Sequence, residues 1–334
     1  MEPLLSIHDL TVQFPSTHGL LTVVDKVSFS VGRNEVVCVV GESGSGKSVT
    51  VQAAVGLVQT KGGRVAGGSV RFDGQELVGM KNRQLNSIRG NDIGFIFQEP
   101  MSSLNPAYTV GEQIAEVVRR HRGVSRADAW KRAVEMLERV HIATAAARAN
   151  DYPHQFSGGM RQRVMIAMAI ACDPKLLIAD EPSTALDVTI QARILQLLKE
   201  LQSASGMSVL FITHDLGVVA EIADRVVVMY GAQVVEEAGV DALFATPRHP
   251  YTTGLLRAMP QVALERGEDP VAIPGTVAQA HAWPAGCRFN PRCEYREEGP
   301  CTTAQVPLVR DDHGLVRCAR AEILRTRLTQ AVAA

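Results

Sequence analysis

The order of apolar and polar residues predicts β structure in the first part of the chain. Residues 4–40 alternate apolar and polar side chains, as in Leu5–Leu10, with the period of a half-buried strand. Within them, Val36–Val40 is an uninterrupted apolar run, which is typical of a strand buried on both faces. Val70–Gln75 contains an Asp-Gly pair, a strong signal for a tight β-hairpin.

Later segments alternate between strand and helix patterns. Residues 107–150 are rich in Ala, Glu and Arg and place apolar residues at helical spacing, which predicts a helical subdomain. After Glu181 the predicted order is helix, strand, helix, strand: Ile190–Gln202, Ser208–Thr213, Leu216–Ala223 and Arg225–Tyr230. This alternation favours an α/β fold with a parallel sheet.

Composition excludes several functional classes. The 334 residues carry 34 Lys and Arg against 35 Asp and Glu, so no basic excess indicates nucleic acid. The longest apolar runs, such as Val164–Cys172, fall well short of the roughly 20 residues that a membrane-spanning helix needs. The start Met1-Glu2-Pro3 is acidic and no apolar core follows it, so we expect no signal peptide and a cytosolic chain.

A phosphate-binding loop is predicted between Val36–Val40 and a helix at Val49–Val58. Gly41–Ser48 fits the pattern Gly-x4-Gly-Lys-Ser, in which backbone N–H groups and the following helix cradle phosphates. In this pattern Lys47 reaches the β- and γ-phosphates and the Ser48 hydroxyl binds Mg²⁺. The predicted nucleotide-binding residues of this segment are Gly41, Ser43, Gly44, Gly46, Lys47, Ser48 and Val49.

A second acidic site is predicted at the end of an apolar strand, Leu176–Asp180. An acid at the carboxyl end of a parallel strand lies beside the ligand crevice. Asp180 is therefore expected in the Mg²⁺ shell, and Glu181 is placed to polarise the attacking water as a general base.

Four of the six cysteines form a group near the C-terminal end, with five, seven and sixteen residues between them: Cys287, Cys293, Cys301 and Cys318. The other two, Cys38 and Cys172, lie in apolar segments and are predicted to be buried. A disulfide framework is not expected in the cytosol, and the group has neither a Cys-x2-Cys zinc knuckle nor a common ferredoxin spacing. Chemistry alone predicts a metal site of open identity.

With Phe156–Arg163 in view, the chain resembles the ATP-binding-cassette (ABC) ATPases. Ser157, Gly158 and Gly159 are similar to the signature that caps the γ-phosphate bound by the opposite subunit. Met160 stands where glutamine is more usual. The resemblance implies an ATPase whose complete nucleotide site needs a second ATPase subunit.

The resemblance also implies roles for other residues. Gln98 matches the Q-loop glutamine that senses Mg²⁺ and water, and His214 matches the switch histidine on the γ-phosphate. Thr184–Asp187 matches the D-loop at the dimer seam, with Asp187 in the nucleotide site. The implied catalytic residues are Glu181, His214 and Gln98. Phe14 occupies the position of the adenine-stacking aromatic, although a core strand residue is an equal alternative.

A finer resemblance, to the dipeptide/oligopeptide/nickel importer ATPases, covers almost the whole chain. It rests on residues 98–106, 152–156, 213–219 and 249–260 and on the cysteine-bearing tail, and the signature is similar to the first of the two ATPases that such importers often carry. It implies an α/β phosphate-loop core with an antiparallel β layer. The implied domains are an ATPase domain over residues 1–245, with a helical subdomain inserted at about 105–165, and a C-terminal extension over residues 246–334.

The same resemblance implies partners and a second cofactor. The partners are a second ATPase, favoured as a paralogue, two integral membrane subunits and an extracytoplasmic binding protein, with this chain on the cytoplasmic face of the membrane. The four cysteines would carry a [4Fe–4S] cluster, with zinc or no metal as alternatives. Peptide is the favoured substrate over nickel or glutathione. A soluble ABC protein acting on ribosomes or DNA and an exporter motor are the rival functions.

Overall fold

The structure is a computed structural model that describes residues 2–17, 19–98, 103–182, 187–265, 267 and 269–332. Its strands are β1 Leu5–Ser16, β2 Gly19–Val31, β3 Val36–Val40, β4 Arg64–Phe72, β5 Gln75–Glu76, β6 Ile93–Ile96, β7 Leu176–Asp180, β8 Ser208–Thr213, β9 Arg225–Tyr230, β10 Gln233–Gly239, β11 Val309–Asp311 and β12 Gly314–Val316. Its α-helices are Lys47–Ala54, Asn82–Ile88, Val110–Arg122, Arg126–Arg139, Ala145–Arg148, Gly158–Ile170, Val188–Ser205, Leu216–Ile222, Val240–Ala245, Pro250–Arg257, Pro260–Glu265 and Ala321–Val332. Short 3₁₀ helices span Val58–Lys61, Pro153–Gln155 and Asn290–Arg292.

The larger sheet has the order β11-β12-β10-β9-β3-β8-β7-β6 within the described residues. Strands β9, β3, β8, β7 and β6 are parallel, which confirms the predicted parallel sheet. β10, β12 and β11 add an antiparallel edge that the sequence did not predict. The central strand β3 is buried on both faces: Cys38 and Val40 pack into one apolar core, and Val37 and Val39 into the other. This two-sided burial explains its continuous apolar run.

A second, antiparallel sheet of order β2-β1-β4-β5 covers the N-terminal part of the fold. The predicted hairpin joins β4 to β5 through Asp73 and Gly74. Both turn residues have positive φ, 47° and 81°, as the tightest hairpin turn requires. Phosphate-loop core and antiparallel β layer are therefore both present, as the predicted fold class requires.

One predicted helix was too long. The helix after the phosphate loop spans Lys47–Ala54 rather than Val49–Val58. Gly56 takes a φ of 68°, which a right-handed helix cannot accommodate, and a 3₁₀ turn, Val58–Lys61, follows. The apolar pattern continued through this break because Val55 and Val58 are both buried.

The helical subdomain predicted between Gln98 and the signature is confirmed. Helices Val110–Arg122 and Arg126–Arg139 begin at Thr109 and Ser125, whose side chains each accept a backbone N–H of the first turn. A further short helix, Ala145–Arg148, completes it before the chain returns to the sheet.

The C-terminal extension joins the larger sheet. Its hairpin β11–β12 pairs with β10, with Glu236 opposite Val316. The predicted boundary at residue 245 stays a prediction. Among the described residues, no helix combines the length and apolar character needed to cross a bilayer.

Candidate nucleotide site and cysteine cavity

The predicted phosphate loop leaves the carboxyl end of β3 and enters helix Lys47–Ala54. Gly41 has a φ of 148°, and a Cβ there would lie 2.1 Å from the Met229 carbonyl oxygen. Gly46, immediately before the helix, has a φ of 98°. Both positions require glycine, so the loop can curl and aim backbone N–H groups at a bound anion.

Lys47 lies inside this loop with 5 % of its surface exposed. Its Nζ donates to the carbonyl oxygens of Gly41 at 2.7 Å and Glu42 at 3.1 Å. Burial lowers the pKa of Lys47, while the nearby carboxylates of Glu181 and Asp180 oppose that shift. An additional negative charge beside Nζ, such as a phosphate, would stabilise the ammonium form.

Ser48 and Asp180 meet although 132 residues separate them in sequence. The Ser48 hydroxyl donates to Asp180 Oδ1 at 2.7 Å. Burial raises the pKa of Asp180, and this hydrogen bond works against the rise. The pair offers two hard oxygen ligands at one point, which suits Mg²⁺. Gln52 Nε2 lies 3.5 Å from Asp180 Oδ2. Gln52 was not among the predicted site residues, although it lies one helical turn after Ser48.

The three predicted catalytic residues lie together, with Gln98 and His214 both next to Glu181. Its Oε2 accepts from Gln98 Nε2 at 3.1 Å and lies 3.5 Å from His214 Nδ1. Glu181 has a φ of 47°, a costly conformation for a non-glycine residue. Its N–H donates to the Ile212 carbonyl at 3.0 Å, which fixes the backbone at the tip of β7. His214 is exposed on the loop after β8, with 63 % of its side chain accessible.

The signature residues lie at the start of helix Gly158–Ile170. Ser157 caps this helix by accepting the Met160 N–H, and Ser157 and Gly158 are exposed. Gly159 is buried, and a Cβ there would lie 2.7 Å from Ile190 Cγ2. Asp187 caps the helix that contains Ile190, accepting the Ile190 N–H at 2.9 Å. Signature and D-loop ends are thus packed together; Thr184–Leu186 fall outside the described residues.

Phe14 lies on β1 and is half-buried. A Cβ at Gly63 would lie 2.6 Å from the tip of its ring, so the ring packs closely against that glycine. It also contacts the core of the antiparallel layer. Its adenine-stacking role stays a prediction.

Cys287, Cys293, Cys301 and Cys318 line one cavity of the C-terminal extension, together with His249 and Phe289. Burial raises the pKa of Cys293 to about 11 and that of Cys318 to about 12, so a metal binding there would have to displace their protons. Within the described ranges, no three His, Cys, Asp or Glu side chains are grouped so as to hold a metal ion. The remaining cysteines, Cys38 and Cys172, are buried as predicted.

The phosphate loop on β3, the acid pair on β7, the histidine after β8 and the signature at the start of helix Gly158–Ile170 are together typical of an ABC-type ATPase. Comparison with known proteins agrees. The family profile "ABC transporter" matches residues 24–184, and "Oligopeptide/dipeptide transporter, C-terminal region" matches residues 235–301.

Curated relatives match nearly the whole chain. A putative peptide import ATP-binding protein of Brucella abortus (strain 2308) is 50 % identical over 96 % of this chain and 97 % of its own length. The oligopeptide transport ATP-binding protein AppD of Bacillus subtilis (strain 168) is 49 % identical over 95 % of this chain and 97 % of its own length. The chain therefore belongs to the ABC transporter ATP-binding proteins, in the group that carries this C-terminal region, and it is an ATPase.

Solved structures support the same fold. A dimeric ATP-binding cassette in a post-hydrolysis state, bound to ADP and Pi, superposes with a TM-score of 0.63 at 29 % identity. It covers 71 % of this chain and 98 % of its own. Because nearly all of that cassette is matched, the unmatched part of this chain represents additional structure.

Proposed function

We propose that this chain is the ATP-hydrolysing motor of a peptide importer. The observation that carries the proposal is the convergence of Gln98, Glu181 and His214 beside the phosphate loop. It is supported by relatives that match this chain over almost their full length and whose names specify peptide import or oligopeptide transport. Peptide is favoured over nickel or glutathione because the relatives' names specify peptides and oligopeptides.

In the proposed mechanism, two ATPase chains close on two ATP molecules. Each ATP lies between one phosphate loop, with Lys47 at its phosphates, and the exposed Ser157 and Gly158 of the opposing chain. The dimeric state of the solved cassette supports this arrangement. Ser48 and Asp180 would hold the Mg²⁺ that accompanies ATP and offsets its charge.

Hydrolysis then depends on three side chains of this protein. Glu181 takes a proton from the attacking water, because its carboxylate lies at the strand tip beside the phosphate loop. Gln98 fixes the position of that carboxylate. His214, which lies beside the same carboxylate, would support the γ-phosphate. Closure of the dimer would rock two membrane subunits on the cytoplasmic face, and hydrolysis would reopen it. The second ATPase is proposed to be a paralogue, and an extracytoplasmic protein would deliver the peptide.

The transport function is tested by affinity purification of the Glu181→Gln variant from native cells in mild detergent with ATP and Mg²⁺. We expect two polytopic membrane proteins and a second ATPase to co-purify, together with the binding protein that identifies the substrate. Recovery as a soluble dimer, or with ribosomes or DNA, would contradict the importer assignment and leave the ATPase intact.

We further propose that the cysteine cavity carries a [4Fe–4S] cluster with a structural role. All four cysteines line one cavity, and a cluster binds each cysteine to a different iron atom. A cluster therefore does not need all four thiols within bonding distance of a single metal ion. The described residues contain no such single-ion arrangement. A single zinc ion would need it.

Anaerobically purified protein is expected to contain about four iron and four sulfide per chain, with the visible absorption of an iron–sulfur cluster. Cys293→Ser should lose iron, because one ligand of the cluster is removed. Cys172→Ala is the matched control and should keep it, because Cys172 is buried away from the cavity lining. Folded wild-type protein without metal, or with one zinc ion, would refute the cluster.

A further inference from the structure

We propose that the C-terminal extension completes the nucleotide site: Arg292 and Tyr251 hold the phosphate loop, through Glu42, in the shape that binds ATP. Both are positioning residues, since they act on the loop rather than on the nucleotide. The proposal rests on the ATPase site itself and not on the substrate or partners of the transporter.

The side chain of Glu42 is held by a two-pronged ion pair. Arg292 Nη1 donates to Glu42 Oε2 at 2.6 Å, and Nη2 donates to Oε1 at 3.0 Å. The Arg292 side chain is 6 % exposed, so solvent screens this pair little. Parallel bonds of this kind fix direction as well as distance. The pair joins residues 250 positions apart, one inside the phosphate loop and one in the extension.

The backbone of Glu42 is held by a second residue of the extension. Its N–H donates to Tyr251 Oη at 2.8 Å. Tyr251 is fully buried, with its ring 4.6 Å from that of Tyr230 and 5.4 Å from that of Phe289. The carbonyl of the same Glu42 accepts from Lys47 Nζ at 3.1 Å. Glu42, which the extension holds through its side chain and its backbone, is therefore in direct contact with Lys47, the predicted phosphate-binding lysine.

Arg292 is itself rigidly placed. Its Nε donates to the Pro274 carbonyl at 2.8 Å, and Nη2 also reaches the Ile273 carbonyl at 3.3 Å. The guanidinium lies 5.7 Å from the centre of the Tyr230 ring. An arginine with its donors occupied in this way transmits position, unlike a flexible surface ion pair.

A second arginine of the same segment supports the other side of the loop. Arg288 donates to the Gly231 carbonyl and pairs with Asp25. Ala232, which follows Gly231 in the chain, donates its N–H to the Ser45 carbonyl of the phosphate loop at 3.1 Å. The turn that carries both arginines therefore contacts the loop directly at Glu42 and indirectly at Ser45.

The consequence for ATP follows from population arithmetic. If the loop adopts its binding shape for only a fraction of the time, the apparent affinity for ATP equals the intrinsic affinity multiplied by that fraction, whereas saturating ATP restores the shape. Loss of the contacts that Arg292 and Tyr251 make with Glu42 should therefore raise the Kd and KM for ATP and leave kcat nearly unchanged. Damage to the catalytic step would lower kcat instead.

The test uses the full-length chain for MgATP binding and the purified transporter for kinetics. We expect Arg292→Gln to raise the Kd for MgATP about tenfold, since a charge-assisted pair is lost, with kcat within about twofold of wild type. Arg292→Lys keeps the positive charge but cannot form the two parallel hydrogen bonds, so its Kd for MgATP should lie between those of the wild type and Arg292→Gln. Tyr251→Phe, which removes one hydroxyl, should weaken binding in the same direction.

Arg257→Gln is the matched control. It removes another arginine–glutamate pair of the extension, that with Glu294 at 3.3 Å, which does not touch the loop, and should leave the Kd unchanged. In a double-mutant cycle, Glu42→Gln and Arg292→Gln should be non-additive. An unchanged Kd in folded Arg292→Gln would overturn the proposal, as would an equal rise in Arg257→Gln or a loss confined to kcat.

Discussion

Glu181→Gln is expected to lower ATP hydrolysis at least about a hundredfold, the usual contribution of a general base, while ATP binding is retained. Glutamine keeps the size of the side chain and a hydrogen-bonding partner for Gln98, but its amide cannot take a proton from water. In the proposed mechanism ATP binding closes the dimer and hydrolysis reopens it, so the variant should accumulate as a closed dimer with ATP trapped inside.

Two measurements check this expectation: single-turnover hydrolysis of radiolabelled ATP, and the oligomeric state in the presence of MgATP. Glu221→Gln is a matched control, because Glu221 is a half-exposed residue that pairs with Lys199 on the surface. It should hydrolyse ATP at the wild-type rate. Normal turnover by Glu181→Gln would remove Glu181 from the role of base.

Lys47→Ala is expected to weaken MgATP binding roughly a hundredfold or more, because charged hydrogen bonds to phosphate contribute about 1.5–3 kcal/mol each. The loss acts on binding rather than on the chemical step alone, in contrast to Glu181→Gln. Removing a buried cation also leaves Glu181 and Asp180 without their neutralising charge. The negative charge of these carboxylates should then further weaken the binding of the ATP anion.

Equilibrium titration with a fluorescent ATP analogue measures this effect. Lys199→Ala, which removes an exposed lysine of a surface pair, is the control and should bind as wild type does. Wild-type affinity in Lys47→Ala would contradict the phosphate-loop assignment. A loss of hydrolysis with unchanged binding would move Lys47 from the binding role to a purely catalytic one.

The Lys47→Ala and Glu181→Gln variants also serve as references for the proposed positioning role of Arg292. Arg292→Gln should resemble a mild form of Lys47→Ala, with a raised Kd, and should not resemble Glu181→Gln. The reason is that Arg292 is proposed to act on loop shape through Glu42, whereas Glu181 is proposed to act on the attacking water. Comparison of the three distinguishes loss of the phosphate ligand, loss of its positioning and loss of the base.

Local sequence was sufficient where one segment carries its own information. The glycines of the phosphate loop, the apolar run of β3 and the Asp-Gly hairpin each specify a backbone shape through residues that are neighbours in sequence. The predicted elements Ser208–Thr213 and Arg225–Tyr230 have the predicted bounds in the structure. The helix after the loop was predicted too long because the apolar pattern continues beyond Gly56, whereas the helix itself ends before this glycine.

The sequence by itself determined the class of fold, the phosphate loop and the strand-end acids, because those features depend on short-range backbone preferences and on residue chemistry. The family resemblance already placed Glu181, Gln98 and His214 in one catalytic site, and the tertiary structure supplied their contacts. Tertiary structure alone decided that Glu42 meets Arg292. It also added the extension's hairpin to the central sheet. Contacts between residues far apart in the sequence leave no periodic signal, since they depend on the packing of whole layers rather than on any local pattern.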